Sequence, residues 1–149
     1  MPQWTRFPAR FLSQPTERKR LLIEAWLYLA GARLMLRLMS FQQLTKFFNR
    51  PCSKHVVMTE SEREGLRQDV RWAVQRATGC LPGETACFPR GIAAQAMCRN
   101  RGVGATLYYG AATLPLKGLT AHVWVLDGTE GVVGHQVASE YRIIARFPG

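Results

Sequence analysis

The sequence predicts an α+β fold, with helices first and an antiparallel sheet last. Three observations carry this reading. Helical periodicity dominates up to about residue 101, β-type residues and alternation take over from Ala105, and Cys87 stands where a strong helix pattern begins. At 149 residues the chain can bury a substantial core. The division read from the sequence is an N-terminal helical segment over residues 1–58 and a core over residues 59–149, together one compact domain.

Residues 1–15 are broken by Pro2, Pro8 and Pro15 and are expected to be irregular, with Trp4, Phe7, Phe11 and Leu12 free to dock on the core. From Thr16 to about Met39 the pattern predicts one long helix. Leu21, Leu22, Ile23, Trp26, Leu27, Leu29, Leu34, Leu36 and Leu38 make it apolar on nearly every face. Glu24, Arg33 and Arg37 interrupt the run, which therefore lacks the ~20 nearly uncharged residues that a membrane span requires. Such a helix is expected to be buried, covered by a partner, or laid on a membrane surface. Ser40 is placed to cap a second, short helix from Phe41 to Phe48.

A loop containing Pro51 follows over residues 49–58. Thr59 with Glu62 has capping-box spacing, and the helix it opens runs to about Ala77. Its apolar face is Leu66, Val70, Ala73, Val74 and Ala77, and Gly79 ends it. Residues 79–86 cross to Cys87. Pro89 suits a first helical turn, where no backbone donor is needed. Ala93, Ala94, Ala96 and Met97 favour helix, Arg99 and Arg101 load its last turn, and Gly102 stops it. Cys87 is thus expected at or just before the N-cap.

Beyond Gly102, residues 105–112 and 120–126 read as strands. Residues 127–131 are turn chemistry, Val132 and Val133 begin a return strand, and residues 141–147 form the last one. The helix of Cys87 is expected to pack on this sheet.

The chemistry centres on Cys87 and His122. A thiol at a helix N-terminus feels the positive end of the helix dipole and ionises more readily. An imidazole on a rigid strand can take and return its proton. His122 and Trp124 share a strand face, which the helix of Cys87 is expected to cover. A third group should orient the imidazole. Asp127 is five residues along the same strand, about 17 Å away at about 3.3 Å per residue, which is too far. A hairpin turning at residues 128–129 would set Gly134, His135 or Gln136 across from His122, and His135 is the candidate third member. The backbone amide of Cys87 offers one oxyanion donor; Gln75, Trp72 and Thr85 are candidates for a second. Cys52, Cys80 and Cys98 lack this context and read as structural, and His55 as a solvent-exposed loop residue.

The net charge of +10 points to acidic partners. No Gly-rich phosphate loop, aromatic RNA-binding motif or recognition-helix pattern accompanies it, so nucleic acid is set aside. The cysteine spacings match no zinc pattern, and no metal or cofactor is expected. No short apolar run with a cleavage site opens the sequence, so a reducing cytoplasm with free thiols is the expected setting.

The run Cys87-x-x-Arg90-x-x-Ala93-Ala94-Gln95-x-Met97-x-Arg99-x-Arg101-Gly102-x-x-Ala105-Thr106-Leu107, followed by Ala121-His122-Val123-Trp124-Val125, resembles the transglutaminase-like leader peptidases of lasso-peptide biosynthesis. The resemblance is to the B-type maturation proteins in their split form, and its strongest part covers residues 66–147. It implies a papain/transglutaminase-like core and a cysteine protease that removes the leader from a ribosomally made precursor peptide. Cys87 would attack the scissile carbonyl, with His122 as general base and then acid. The family completes its triad with an Asp roughly a dozen residues after the His, where this chain has Val133-Gly134-His135. The resemblance also implies partners: the precursor, a separate leader-binding protein and an ATP-dependent macrolactam synthetase. The two proteins among them could dock on the basic surface or on helix 16–39. Two other functions begin from the same residues: transglutaminase-type acyl transfer, and a catalytically degenerate partner-binding module.

Overall fold

The structure is a computed structural model that describes residues 14–81 and 87–149. The expectations for residues 1–13, including the docking of Trp4, Phe7, Phe11 and Leu12, and the candidate role of Thr85 fall outside the described residues. Four helices come first: α1 (Thr16–Leu38), α2 (Phe41–Phe48), α3 (Glu60–Thr78) and α4 (Cys87–Asn100). Strands β1 (Thr106–Leu114), β2 (Gly118–Asp127), β3 (Glu130–Val133) and β4 (Arg142–Phe147) follow, with a 3-10 turn at His135–Glu140 between the last two. The fold is α+β, as the sequence predicts.

Local chemistry sets most of the boundaries. Thr59 and Glu62 close the capping box: the Thr59 backbone N–H donates to Glu62 Oε2 at 2.7 Å, and Glu62 N–H donates to Thr59 Oγ1 at 3.3 Å. At the end of α4, Val103 N–H reaches the Cys98 carbonyl and Gly102 N–H that of Arg99, the two bonds of a Schellman stop.

α1 buries only one stripe, Leu22, Ala25, Leu29 and Ala32, at the spacing of one helix face. Ile23, Leu27, Leu34 and Leu38 stay exposed. Among the described residues no helix is long and apolar enough to cross a membrane. The buried stripe joins Val70, Ala73 and Val74 of α3, Ile92, Ala93 and Met97 of α4, and Leu107, Val123 and Val125 of the sheet in one core cluster. Two polar clamps lock α4 in place. Gln95, almost wholly buried, donates to the carbonyls of Ala105 (3.1 Å) and Phe147 (2.7 Å). Arg101 pairs with Glu24 of α1 at 2.6 Å.

The sheet has the order β3-β2-β1-β4, with every neighbouring pair antiparallel. β2 meets β3 only through Val125, Leu126 and Asp127, across a two-residue turn at Gly128-Thr129. α4 packs on the face that carries Leu107, Tyr109 and Val123. A Cβ on Gly91 would lie 2.5 Å from Val123 Cγ1 and 3.3 Å from Leu107 Cδ1, so glycine is what permits this approach. The Phe88 and Tyr109 rings meet at 5.8 Å. Strand alternation therefore sends His122 and Trp124 to the opposite face, and the expectation that α4 covers them is corrected. Hydrophobicity misled here because both faces of β2 are partly covered. Val123 and Trp124 are adjacent in sequence, and both are buried.

Candidate active site

Cys87 is the first residue of α4, half-buried and packed against the core. Helix propensity from Ala93 onward and the fit of Pro89 in the first turn put it there. Cys87 thus belongs to the first turn of α4, whose backbone N–H groups have no partner within the helix. The other thiols sit differently. Cys98 is fully buried, and burial, helped by the nearby Asp127 charge, pushes its pKa up to about 12. Burial also raises Cys80, whose thiol donates to the Arg76 carbonyl at 3.1 Å. Cys52 is buried and donates to the Lys54 carbonyl at 2.9 Å. All four cysteines are free.

His122 pairs across the sheet with Gly110. Its ring sits among aromatics, 6.1 Å from the Trp124 ring and 5.1 Å from that of Tyr141, and Trp124 stacks in turn on Tyr108 at 5.7 Å. Its Nε2 lies 2.7 Å from the Gly134 carbonyl oxygen. A carbonyl can only accept, so Nε2 carries the hydrogen and Nδ1 keeps the lone pair of a base. Gly134 is built for this contact. Its φ is +71°, and a Cβ there would fall 2.5 Å from the Val123 carbonyl oxygen and 3.4 Å from His122 Nε2. Arg71 of α3 secures the segment just before it, donating to the carbonyls of Val132 (3.0 Å) and Gly131 (2.6 Å).

His135 is not the group that orients His122. Its ring covers the α-carbon of Gly131, and its Nδ1 is buried without a hydrogen-bond partner. A left-handed Gly134 and an immediate 3-10 turn end β3 before residue 135 can continue the strand. The sequence reasoning sought a side chain and so missed a main-chain acceptor. The available signal was a lone glycine after Val132-Val133, a natural site for positive φ.

Asp127 serves elsewhere, as its distance along the strand implied. It is buried and held by Arg63 (2.9 Å) and by Arg67 (2.8 Å), and Arg67 also pairs with Glu60 and Glu64. Burial works against the Arg67 cation, but hydrogen bonds to Glu60, Glu64 and Asp127 outweigh it and raise its pKa. Of the oxyanion candidates, Gln75 is exposed on α3, while Trp72 lies under the Arg18 guanidinium, 4.7 Å from its ring centre. Among the described residues, no hydrogen bond joins Cys87 Sγ to His122, and no cluster of His, Cys, Asp and Glu could hold a metal ion.

Comparison with curated proteins and with solved structures gave no match. The family model described as transglutaminase-like superfamily matches residues 26–146, from within α1 into β4, which is most of the chain. It therefore spans both Cys87 and His122, and the protein belongs to the transglutaminase-like superfamily.

Proposed function

We propose that the protein is a cysteine peptidase that removes the leader from a lasso-peptide precursor. The observation that carries the cysteine chemistry is Cys87 at the first turn of α4 in a transglutaminase-like domain. Cys87 Sγ adds to the scissile carbonyl, the C–N bond breaks, and the amine leaves with a proton from the His122 imidazolium. Water then attacks the thioester, giving up a proton to the imidazole, and the thiol is restored. In the observed pose Nε2 is bonded to Gly134 and Nδ1 is the nitrogen left with a lone pair. In the observed conformation the ring lies on the face away from α4 and is held by Gly134, so this step requires β2 to turn His122 toward Cys87 as substrate binds. Catalytic hydrogen bonds of this kind commonly close only around substrate.

The substrate and setting rest on the resemblance of the Cys87–Leu107 and Ala121–Val125 runs to the split leader peptidases. On this reading a separate leader-binding protein presents the precursor, a macrolactam synthetase uses the freed N-terminus, and the work takes place in the cytoplasm. The test is to mix the protein with the precursor and the leader-binding protein encoded beside it and follow products by mass spectrometry. Leader release by the wild type and none by Cys87→Ala is expected. Cleavage that survives Cys87→Ala overturns the reading, and an amine-linked product would show acyl transfer.

The position of His122 favours a second reading, a binding module without catalysis. Its ring lies on the face away from α4 and is already bonded to Gly134. Chloroacetamide at neutral pH separates the two: an activated Cys87 labels far faster than a simple thiol, and His122→Ala slows it.

A further inference from the structure

We infer that the free edge of β2 at Leu119 and Ala121 takes up an extended stretch of polypeptide as an added strand and so delivers the acyl donor to Cys87. The inference rests on the cysteine reading above and adds to it the means of holding substrate.

The edge follows from the register. β3 pairs with residues 125–127 only, and β4 pairs with β1 no farther than Ala111, so the hairpin arm of residues 112–120 projects beyond both neighbours. The Val123 carbonyl faces Gly134, away from β1. In an antiparallel ladder the outward-facing residues alternate, so Leu119 and Ala121 also aim N–H and C=O outward. Among the described residues no strand lies beyond them. Protein edges are usually blunted by charge, proline or a bulge. Residues 118–121 carry none of these, and Leu119 is 80 % exposed.

The arm also stands at the right end of the helix. Gln95 bonds at Ala105, Gly91 lies over Leu107 and Val123, and Phe88 meets Tyr109. Cys87 stands one helical turn before Gly91, on the same helix face and about 6 Å farther along, which carries it from Val123 toward the Ala111–Ala121 pair, where two small side chains leave room. Leu119 and Ala121 project toward this same face, opposite to Thr120 and His122. A strand laid along them would run past the sulfur.

A second copy of the chain fits poorly. Four residues of edge give roughly 13 Å of pairing, too short a contact to bury by itself the ~1,000 Å² that a stable dimer needs. A short extended peptide needs no more than this, because strand addition draws its affinity from main-chain hydrogen bonds.

The test compares two alkylating probes of Cys87: chloroacetamide, and a blocked Ala-Ala chloromethyl ketone with its N-methylated twin. In each case Sγ displaces chloride from the reagent's methylene carbon, and the thiol proton passes to solvent. The peptidyl reagent should outpace its N-methylated twin by about tenfold, the worth of one or two backbone hydrogen bonds. Leu119→Pro removes an N–H that faces solvent, a change that edges tolerate. It should abolish that advantage and leave the chloroacetamide rate unchanged. Equal rates for the two peptidyl reagents on the unaltered protein overturn this inference alone. Absence of Cys87 labelling by any reagent overturns the cysteine reading and this inference with it.

Discussion

His122 Nε2 meets the carbonyl oxygen of Gly134 at 2.7 Å, twelve residues downstream. This is the span at which the resembling peptidases carry a carboxylate. A main-chain oxygen can fix the tautomer and aim the ring, but it brings no full negative charge to steady an imidazolium. The bond holds the ring in its observed pose, on the face away from α4.

That geometry depends on the absence of a side chain. Gly134→Ala should destabilise the protein by about 1–3 kcal/mol, from positive φ and from the clash with the Val123 carbonyl. Urea unfolding measures it. A loss under about 0.5 kcal/mol, within the range of ordinary surface substitutions, would contradict the close approach.

Thiol reactivity should separate Cys87 from Cys98. Burial holds Cys98 to a pKa of about 12, so in the folded protein it should resist alkylation at neutral pH and react only on unfolding. Cys98→Ala should leave the rapid phase of labelling intact, whereas Cys87→Ala should remove it. Peptide mapping after a timed chloroacetamide pulse reads both.

Asp127 should matter for stability. It is buried between Arg63 and Arg67, and Asp127→Asn leaves the Arg67 guanidinium short of its buried counter-ion. Removal of one partner from a buried pair costs about 3–5 kcal/mol. Denaturant midpoints of the two proteins should differ accordingly, while the chloroacetamide rate at Cys87 in the still-folded variant stays within a factor of two or so, since Asp127 acts near Cys98, at the opposite end of α4 from Cys87.

Acid should loosen the contact between α1 and α4. Burial works to raise the Glu24 pKa, but the hydrogen bond and charge of Arg101 outweigh it and hold the carboxyl below its usual 4.5. A group lowered on folding contributes stability that is fully present above its unfolded value and lost as pH falls through its folded one. The stability difference between wild type and Glu24→Gln should therefore be constant above about pH 5 and vanish in stronger acid. A difference that persists at pH 2 would show that the carboxylate charge is not its source.

The sequence by itself determined the element order, the Thr59–Glu62 cap, the Gly102 stop and Cys87 at the head of its helix. These are local: each depends on a few neighbouring residues and on the backbone they share. The two-residue turn at Gly128-Thr129 was legible for the same reason. Only the tertiary structure decided which face of β2 meets α4. A strand offers two faces, and Val123 and Trp124 are both buried, so apolar alternation could not say which one the helix would take. It also decided that Gly134, not His135, bonds to His122, because a backbone carbonyl leaves no mark on residue identity. The projecting arm of residues 112–120 was equally hidden: where one strand outlasts its neighbours depends on register between distant segments, and register is fixed by packing.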